Sequence, residues 1–138
     1  MLKILIAEDD MMVATMTEDL LRDSGYEVCG IARTVSEAVE LAAECKPDIA
    51  LLDMQLAEGG LGTEIAAELA PFEGMGILYA SGYPVQSHLT AVDGHAHLQK
   101  PYTSAQLLRA LVTVRSLACT GQASPPFFGG FEILPASA

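Results

Sequence analysis

Residues 2–10 read LKILIAEDD, an aliphatic run that ends in three consecutive acids. A short, continuous apolar run of this kind is typical of a central parallel strand that is buried on both faces. The apolar spacing from Met11 to Ser24 then indicates a helix, and Gly25 is placed to cap its carboxyl end. A strand followed by a helix is therefore the first unit of the predicted fold.

The same alternation of short apolar stretches and helical segments continues through the first 118 residues. It predicts an α/β fold with a parallel sheet, because parallel strands need a long crossover connection, usually a helix. The predicted strands cover residues 2–7, 26–32, 49–53, 76–80 and 97–99, and the predicted helices cover 11–24, 34–45, 62–69 and 103–117, with a weakly signalled helix after Pro84. Five β/α units are thereby predicted.

The last segment, residues 119–138, differs in composition from the rest of the chain. It is rich in Gly, Pro, Ser and Ala but contains three of the four phenylalanines. We predict one domain over residues 1–118 and a tail over 119–138, with no separate output domain. The composition leaves two states open for the tail, disorder or a return of residues 127–131 onto an apolar patch of the domain.

Composition argues against several classes of function. The 138 residues carry 7 basic and 18 acidic side chains, a formal net charge of −11, which disfavours binding to nucleic acid or to an anionic membrane surface. No apolar run approaches the roughly 20 residues of a membrane span, and no signal peptide is recognisable, so we expect a cytoplasmic protein. The three cysteines are an odd number without a CxxC pair, which predicts reduced and mostly buried thiols and no disulfide.

Polar residues follow four of the predicted strands: Glu8, Asp9 and Asp10 after the first, Asp53 after the third, Ser81 after the fourth and Lys100 after the fifth. In a doubly wound sheet the carboxyl ends of the strands meet at one edge, so these side chains are expected to converge. Carboxylates that lie so close repel one another unless a cation is present, and hard oxygen ligands favour Mg²⁺. We expect Asp9 and Asp53 to hold the ion, with Glu8 as a ligand directly or through water and the backbone carbonyl of Gln55 as a further ligand.

A divalent ion beside a carboxylate, an ammonium group and a hydroxyl is a pattern typical of phosphoryl transfer, which depends mainly on positioning and charge neutralisation. Asp53 is the candidate nucleophile and carrier of the acyl phosphate. Lys100 would pair with one phosphoryl oxygen, and Ser81 would donate a hydrogen bond to another. Asp10 is interpreted as the cap of the first helix.

These residues give the chain a resemblance to the receiver domain of bacterial two-component response regulators. The matching motifs are ILIAEDD at 4–10, DIALLD at 48–53, YASG at 79–82 and KP at 100–101, and the resemblance covers about residues 2–118. It implies a three-layer, doubly wound, flavodoxin-like fold with five parallel strands in the order 2-1-3-4-5. It also implies Mg²⁺-dependent transfer of a phosphoryl group to Asp53 from a histidine kinase or a phosphotransfer protein, and output through a downstream protein.

The chain departs from the family pattern at positions that matter for switching. His97 stands three residues before Lys100, where the family usually carries an aromatic residue that moves on phosphorylation. The run YASGY at 79–83 resembles a subgroup of single-domain receivers in which a tyrosine after the fourth strand is proposed to take over that part, so Tyr83 is a second candidate. Ala57 replaces a proline common in the family, which predicts a more pliable loop over residues 57–60.

Several readings of the function stay open. The domain is expected to be a signalling switch and no enzyme beyond assisting its own phosphoryl transfer and dephosphorylation, but a phosphorelay intermediate, a phosphate sink or a scaffold that is never phosphorylated fits the same residues. A hydrolase of the aspartyl-phosphate kind is disfavoured, since such enzymes usually carry an acid two residues after the nucleophile, where Gln55 stands. A flavin or nucleotide carrier is disfavoured because residues 8–10 would repel a phosphate after the first strand.

Overall fold

Six strands form a single sheet in the structure, a computed structural model that describes residues 1–70, 72, 74–82 and 89–136. The strands are β1 (Lys3–Ala7), β2 (Glu27–Ala32), β3 (Ile49–Asp53), β4 (Gly76–Ser81), β5 (Ala96–Gln99) and β6 (Phe131–Ile133). The helices are α1 (Met11–Asp23), α2 (Val35–Cys45), α3 (Gly62–Leu69) and α4 (Ser104–Thr120), and a 3-10 turn covers Ala57–Gly59.

The sheet runs in the order β2-β1-β3-β4-β5-β6, and the first five strands in this series pair in parallel. The predicted order 2-1-3-4-5 and the flavodoxin-like α/β class are therefore confirmed. Parallel pairing directs the carboxyl ends of β1, β3, β4 and β5 to one edge of the sheet. That edge is where the candidate functional residues lie.

The helices pack on both faces of the sheet and produce three layers. One apolar core joins α1 and α4 to the sheet through side chains such as Leu21 and Leu107, and the other joins α2 and α3 through Ala38 and Ile65. All four of these side chains are fully buried. The strands are buried on both faces as a result, which explains why β1 and β3 appear in the sequence as continuous apolar runs.

The prediction of five strands is wrong by one, because the tail contributes β6. This strand pairs antiparallel with the edge strand β5, with Leu98 opposite Phe131. Phe131 on β6 and Leu134 directly after it are 6% and 4% exposed, and they join the apolar cores on opposite faces of the sheet. Of the two states left open for the tail, the return onto the domain is the one observed for residues 131–134. A three-residue strand among glycines and prolines has too little periodicity to be recognised from sequence.

The prediction of three reduced, mostly buried thiols is also wrong. Cys29 on β2 and Cys45 at the end of α2 form a disulfide, with their Cα atoms 5.9 Å apart, while Cys119 is free and exposed. The reason is the βα connection itself, because α2 runs back along β2 and returns Cys45 to the strand that carries Cys29. An odd number of cysteines excludes complete pairing but does not exclude one pair with one thiol left over.

Helices α1 and α4, which begin at the functional edge, start with side-chain caps. The carboxylate of Asp10 accepts hydrogen bonds from the backbone N–H groups of Met12 and Val13, as predicted for the start of α1. Thr103 and Gln106 form a reciprocal capping box at the start of α4. These caps determine where each helix begins and hence the length of each loop at the edge.

Two predictions concern the stretch between β4 and β5. The first is the helix predicted after Pro84. Residues 85–88 of that stretch lie outside the described residues, and residues 89–95 contain no helix. The second concerns Tyr83, which also lies outside the described residues. Within the described part of the chain, no helix combines the length and the apolar character needed to cross a membrane.

Candidate functional site

The ends of β1, β3, β4 and β5 bring the predicted site residues together. Ala7 pairs with Leu52, so that Glu8 and Asp53 follow side by side on neighbouring strands. The backbone N–H of Lys100 donates to the carbonyl of Ser81 at 2.7 Å, which joins the ends of β4 and β5. The structure thus brings the acids and the ammonium group together at one edge of the sheet, with Ser81 at the end of the neighbouring strand β4.

Three carboxylates form the acidic part of the site. Glu8, Asp9 and Asp53 each offer an oxygen, and these oxygens lie within 4.8 Å of one another. Glu8 is only 6% exposed, Asp53 is half-buried and Asp9 is exposed, so the cluster opens towards solvent on the side of Asp9. Burial raises the pKa of Glu8, and its contact with Asp53 raises it further, while Lys100 acts in the opposite direction.

This set of donors fits a magnesium ion. Carboxylate oxygens are the hard ligands that Mg²⁺ takes in small numbers, and the open side leaves room for water. Gln55 lies beside the cluster, because its backbone N–H donates to Asp53 Oδ1 at 3.3 Å. The role of the Gln55 carbonyl as a ligand stays a prediction.

Lys100 joins the two most buried acids of the cluster. Its Nζ lies 2.8 Å from Glu8 Oε1 and 3.4 Å from Asp53 Oδ2. Burial lowers the pKa of the Lys100 ammonium, but the hydrogen bond to Glu8 and the charge of Asp53 outweigh this effect, so that its pKa is raised overall. The lysine therefore supplies a positive charge between Glu8 and Asp53.

Gly62 lies directly against the backbone of Asp53, a close approach that the sequence analysis missed. A Cβ atom at Gly62 would lie 2.4 Å from the backbone carbonyl oxygen of Asp53, closer than real Cβ contacts permit. The N–H of Gly62 donates to the carbonyl of Met54, which ties the start of α3 to the end of β3. The signal was the glycine at the first position of a helix, where other residues are better helix formers.

Ser81 and His97 form the second contact that the sequence did not reveal. Ser81 Oγ and His97 Nε2 are 2.8 Å apart, and the two side chains are 8% and 1% exposed. Burial lowers the pKa of His97, whereas the charge of Glu132 raises it. The position of the expected rotating aromatic is thus occupied by a buried imidazole that is bonded to the site hydroxyl.

Comparison with known proteins identifies the family. A family model for the response regulator receiver domain matches residues 4–112. The chain belongs to the response regulator receiver family. Receiver domains are signalling domains of two-component systems, and the acidic cluster lies where such domains typically bind Mg²⁺.

Individual relatives agree with this assignment. The receiver is 30% identical over 112 residues to the transcriptional regulatory protein PdtaR of Mycobacterium tuberculosis, covering 79% of this chain and 54% of that protein. It is 37% identical over 83 residues to the phyllosphere-induced regulator PhyR of Methylorubrum extorquens, covering 59% of this chain and 31% of that protein. The chain thus spans between about a third and about half of the length of these curated relatives.

Solved structures show the same fold. The chemotaxis protein CheY4 of Vibrio cholerae has a TM-score of 0.74 at 26% identity, covering 83% of this receiver and 98% of that chain. A CheY-like receiver domain protein of Methanospirillum hungatei has a TM-score of 0.71 at 27% identity, covering 81% of this receiver and 91% of that chain.

Proposed function

We propose that this receiver accepts a phosphoryl group on Asp53 from a histidine kinase or a phosphotransfer protein, in a reaction that requires Mg²⁺. The observation that carries the proposal is the position of the Lys100 ammonium between Glu8 and Asp53, with Asp9 in the same cluster. At the carboxyl edge of a sheet, an ammonium and a divalent ion held by the three acids would together neutralise the charge of a transferred phosphoryl group. We further propose that the protein works in the cytoplasm and passes its signal to a protein partner.

The chemistry assigned to each residue follows from its place. An oxygen of the Asp53 carboxylate attacks phosphorus, a P–O bond forms, and the P–N bond to the donor histidine breaks with its electron pair on the leaving imidazole. Lys100 neutralises charge on the phosphoryl oxygens, and Ser81 donates a hydrogen bond to one of them. Mg²⁺, when bound by the acids, supplies a further positive charge for the same oxygens.

A groove beside the site suits the phosphoryl donor protein. It has a volume of about 720 Å³ and lies between α1 and α4, with Val13, Met16, Leu20 and Leu107 among its lining residues. Lys100 also lines it, so the groove is continuous with the phosphoacceptor site. We assign the groove to the kinase or phosphotransfer partner, because a donor histidine has to reach Asp53 while its own domain rests on the receiver.

The net charge of −11 supports a protein as the output partner, since nucleic acid and anionic lipid would be repelled. A relay intermediate and a phosphate sink differ from a direct effector only in the fate of the phosphoryl group. Onward transfer to a phosphotransfer protein would indicate a relay, and rapid hydrolysis without a binding partner would indicate a sink.

The test is phosphorylation by a small phosphodonor such as acetyl phosphate, followed by intact mass. The wild-type protein should gain one adduct of phosphate mass in the presence of Mg²⁺ and none in the presence of a chelator. Asp53→Asn should abolish the adduct, whereas the matched control Asp19→Asn, at an exposed position on α1, should retain it. A folded wild-type protein without an adduct would indicate a receiver-shaped scaffold, and an adduct that persists in Asp53→Asn would overturn the assignment of the phosphoacceptor.

A further inference from the structure

We propose that His97 is a positioning residue that holds the Ser81 hydroxyl for donation to a phosphoryl oxygen on Asp53. The imidazole donates its Nε2–H to Ser81 Oγ, so that the hydroxyl does not spend its own proton on His97. This inference rests on the proposed function, because it assigns a task to a residue of that same site.

The fold brings the two side chains together from neighbouring strands. Tyr79 on β4 pairs with His97 on β5, which places Ser81 and His97 diagonally on one face of the sheet. Their Oγ and Nε2 atoms are 2.8 Å apart, a normal hydrogen-bond distance. Because His97 is only 1% exposed, water does not compete for this bond.

The direction of the hydrogen bond follows from the chemistry of the phosphoryl group. Phosphoryl oxygens of an acyl phosphate accept hydrogen bonds, and a serine hydroxyl has a single proton to donate. If Ser81 gave that proton to His97, none would remain for the phosphoryl oxygen. Ser81 can serve the site as a donor only if the proton of the Ser81–His97 bond belongs to His97 Nε2.

The second nitrogen of the ring supports the same tautomer. His97 Nδ1 is buried and has no hydrogen-bond partner among the residues that the structure describes. For backbone groups, buried donors without an acceptor are rarer in proteins than acceptors that lack a donor. By the same reasoning, a bare nitrogen at Nδ1 is favoured over an N–H there, and the proton is on Nε2. Burial lowers the pKa of His97 and thereby favours the neutral ring that has one bare nitrogen.

Strand β6 pairs with β5 on the side opposite to β4. Glu132 is directly opposite His97 in the antiparallel pair of β5 and β6. The imidazole thus has a neighbouring strand on each side and a hydrogen bond to Ser81. This arrangement differs from that of a rotating aromatic residue, since His97 would have to break a buried hydrogen bond in order to turn outward.

Two substitutions at one position separate the hydrogen bond from the bulk of the ring. His97→Phe keeps a ring of similar size and removes the donor, while His97→Gln can restore a donor through its amide. We expect His97→Phe to slow phosphorylation by acetyl phosphate about tenfold, and His97→Gln to recover most of the rate. His95→Phe, which changes a half-buried histidine two residues away, is the matched control and should leave the rate unchanged in the folded protein.

A double-mutant cycle shows whether His97 acts through Ser81. Ser81→Ala should slow the reaction by about the same factor as His97→Phe, and the pair combined should be no slower than either variant alone. Independent, multiplicative effects would overturn the positioning role. Nitrogen-15 NMR of the wild-type protein should show a protonated Nε2 and a bare Nδ1 for His97, and the opposite tautomer would also overturn it.

The outcomes separate this inference from the function on which it rests. An adduct on Asp53 in the wild-type protein, together with an unchanged rate in a folded His97→Phe variant, refutes the role of His97 alone. A wild-type protein without any adduct refutes the proposed function itself.

Discussion

Reduction of the Cys29–Cys45 disulfide should lower the stability of this receiver by about 3 kcal/mol. The two cysteines are 16 residues apart in the chain, and the segment that their bond closes contains all of α2. A cross-link over a loop of this length removes chain entropy from the unfolded state that corresponds to about 3 kcal/mol at 25 °C. The disulfide therefore accounts for a sizeable fraction of the 5–15 kcal/mol that is usual for a folded domain.

The assay is urea unfolding of oxidised and reduced protein in a Cys119→Ser background, which removes the free thiol that could exchange with the bond. With a slope of about 1.5 kcal/mol per M, a loss of 3 kcal/mol moves the midpoint down by about 2 M urea. The double variant Cys29→Ser/Cys45→Ser should unfold at the midpoint of the reduced protein, and reducing agent should not shift it further.

Two results would refute this reasoning. Three reactive thiols in the unreduced wild-type protein would show that Cys29 and Cys45 are not paired. A shift of less than about 0.5 M, in a sample whose disulfide is verified by mass, would show that loop closure does not determine the stability. Because disulfides are rare in reducing compartments, the redox state in the cell decides whether this stabilisation is present. The rate of phosphorylation should be the same in both redox states, since neither cysteine contacts the site.

Three further substitutions test the acidic cluster, the support of the phosphoacceptor and the added strand. Asp9→Ala should weaken Mg²⁺ binding, measured as a smaller rise of Tm on titration with the ion. In metal-free buffer the substitution should not lower Tm, because it relieves repulsion between carboxylates. A large loss of Tm in metal-free buffer would instead mean that Asp9 has a structural role. Gly62→Ala should lower the free energy of unfolding by about 1–3 kcal/mol and slow phosphorylation, because the added Cβ would lie 2.4 Å from the carbonyl oxygen of Asp53. The control Gly129→Ala should be neutral in both assays, since a Cβ at that position has no atom within 4 Å. Phe131→Ala should lower the free energy of unfolding, measured by chemical denaturation, by about 3 kcal/mol. Phe127→Ala should lower it clearly less, because Phe127 is 40% exposed. Equal effects would mean that β6 does not pack as described.

The site was predictable because it depends on the ends of parallel strands. Each of the four central site residues comes at the end of an apolar stretch: Glu8, Asp53, Ser81 and Lys100. The topology of a doubly wound sheet brings such strand ends to one edge, regardless of the conformation of the loops. Only the residue types and the order of the strands are needed for this inference. The same information located Asp10 as a helix cap, because a cap depends on the next three residues alone.

The features that were missed depend on distances that no local pattern encodes. The contact between Ser81 and His97 depends on the rotamers of two side chains on neighbouring strands. The role of Gly62 depends on how closely α3 approaches the end of β3. The pairing of Cys29 and Cys45 depends on the path of α2 back along β2. In each case the residue was visible in the sequence, but its partner was determined by tertiary packing.

Strand β6 also changes which surface this receiver can present to a partner. The family resemblance implies that phosphorylation reshapes the face made by the fourth helix, the fifth strand and the fifth helix of the receiver pattern, of which β5 and α4 are the last two here. Here the edge of β5 is already paired with residues 131–133, and the Arg109 guanidinium of α4 lies 5.4 Å from the centre of the Phe128 ring. Since an unpaired strand edge is a ready template for another strand, β6 removes that template from this side of β5. A partner that recognises this surface would therefore have to contact residues of the tail or displace them.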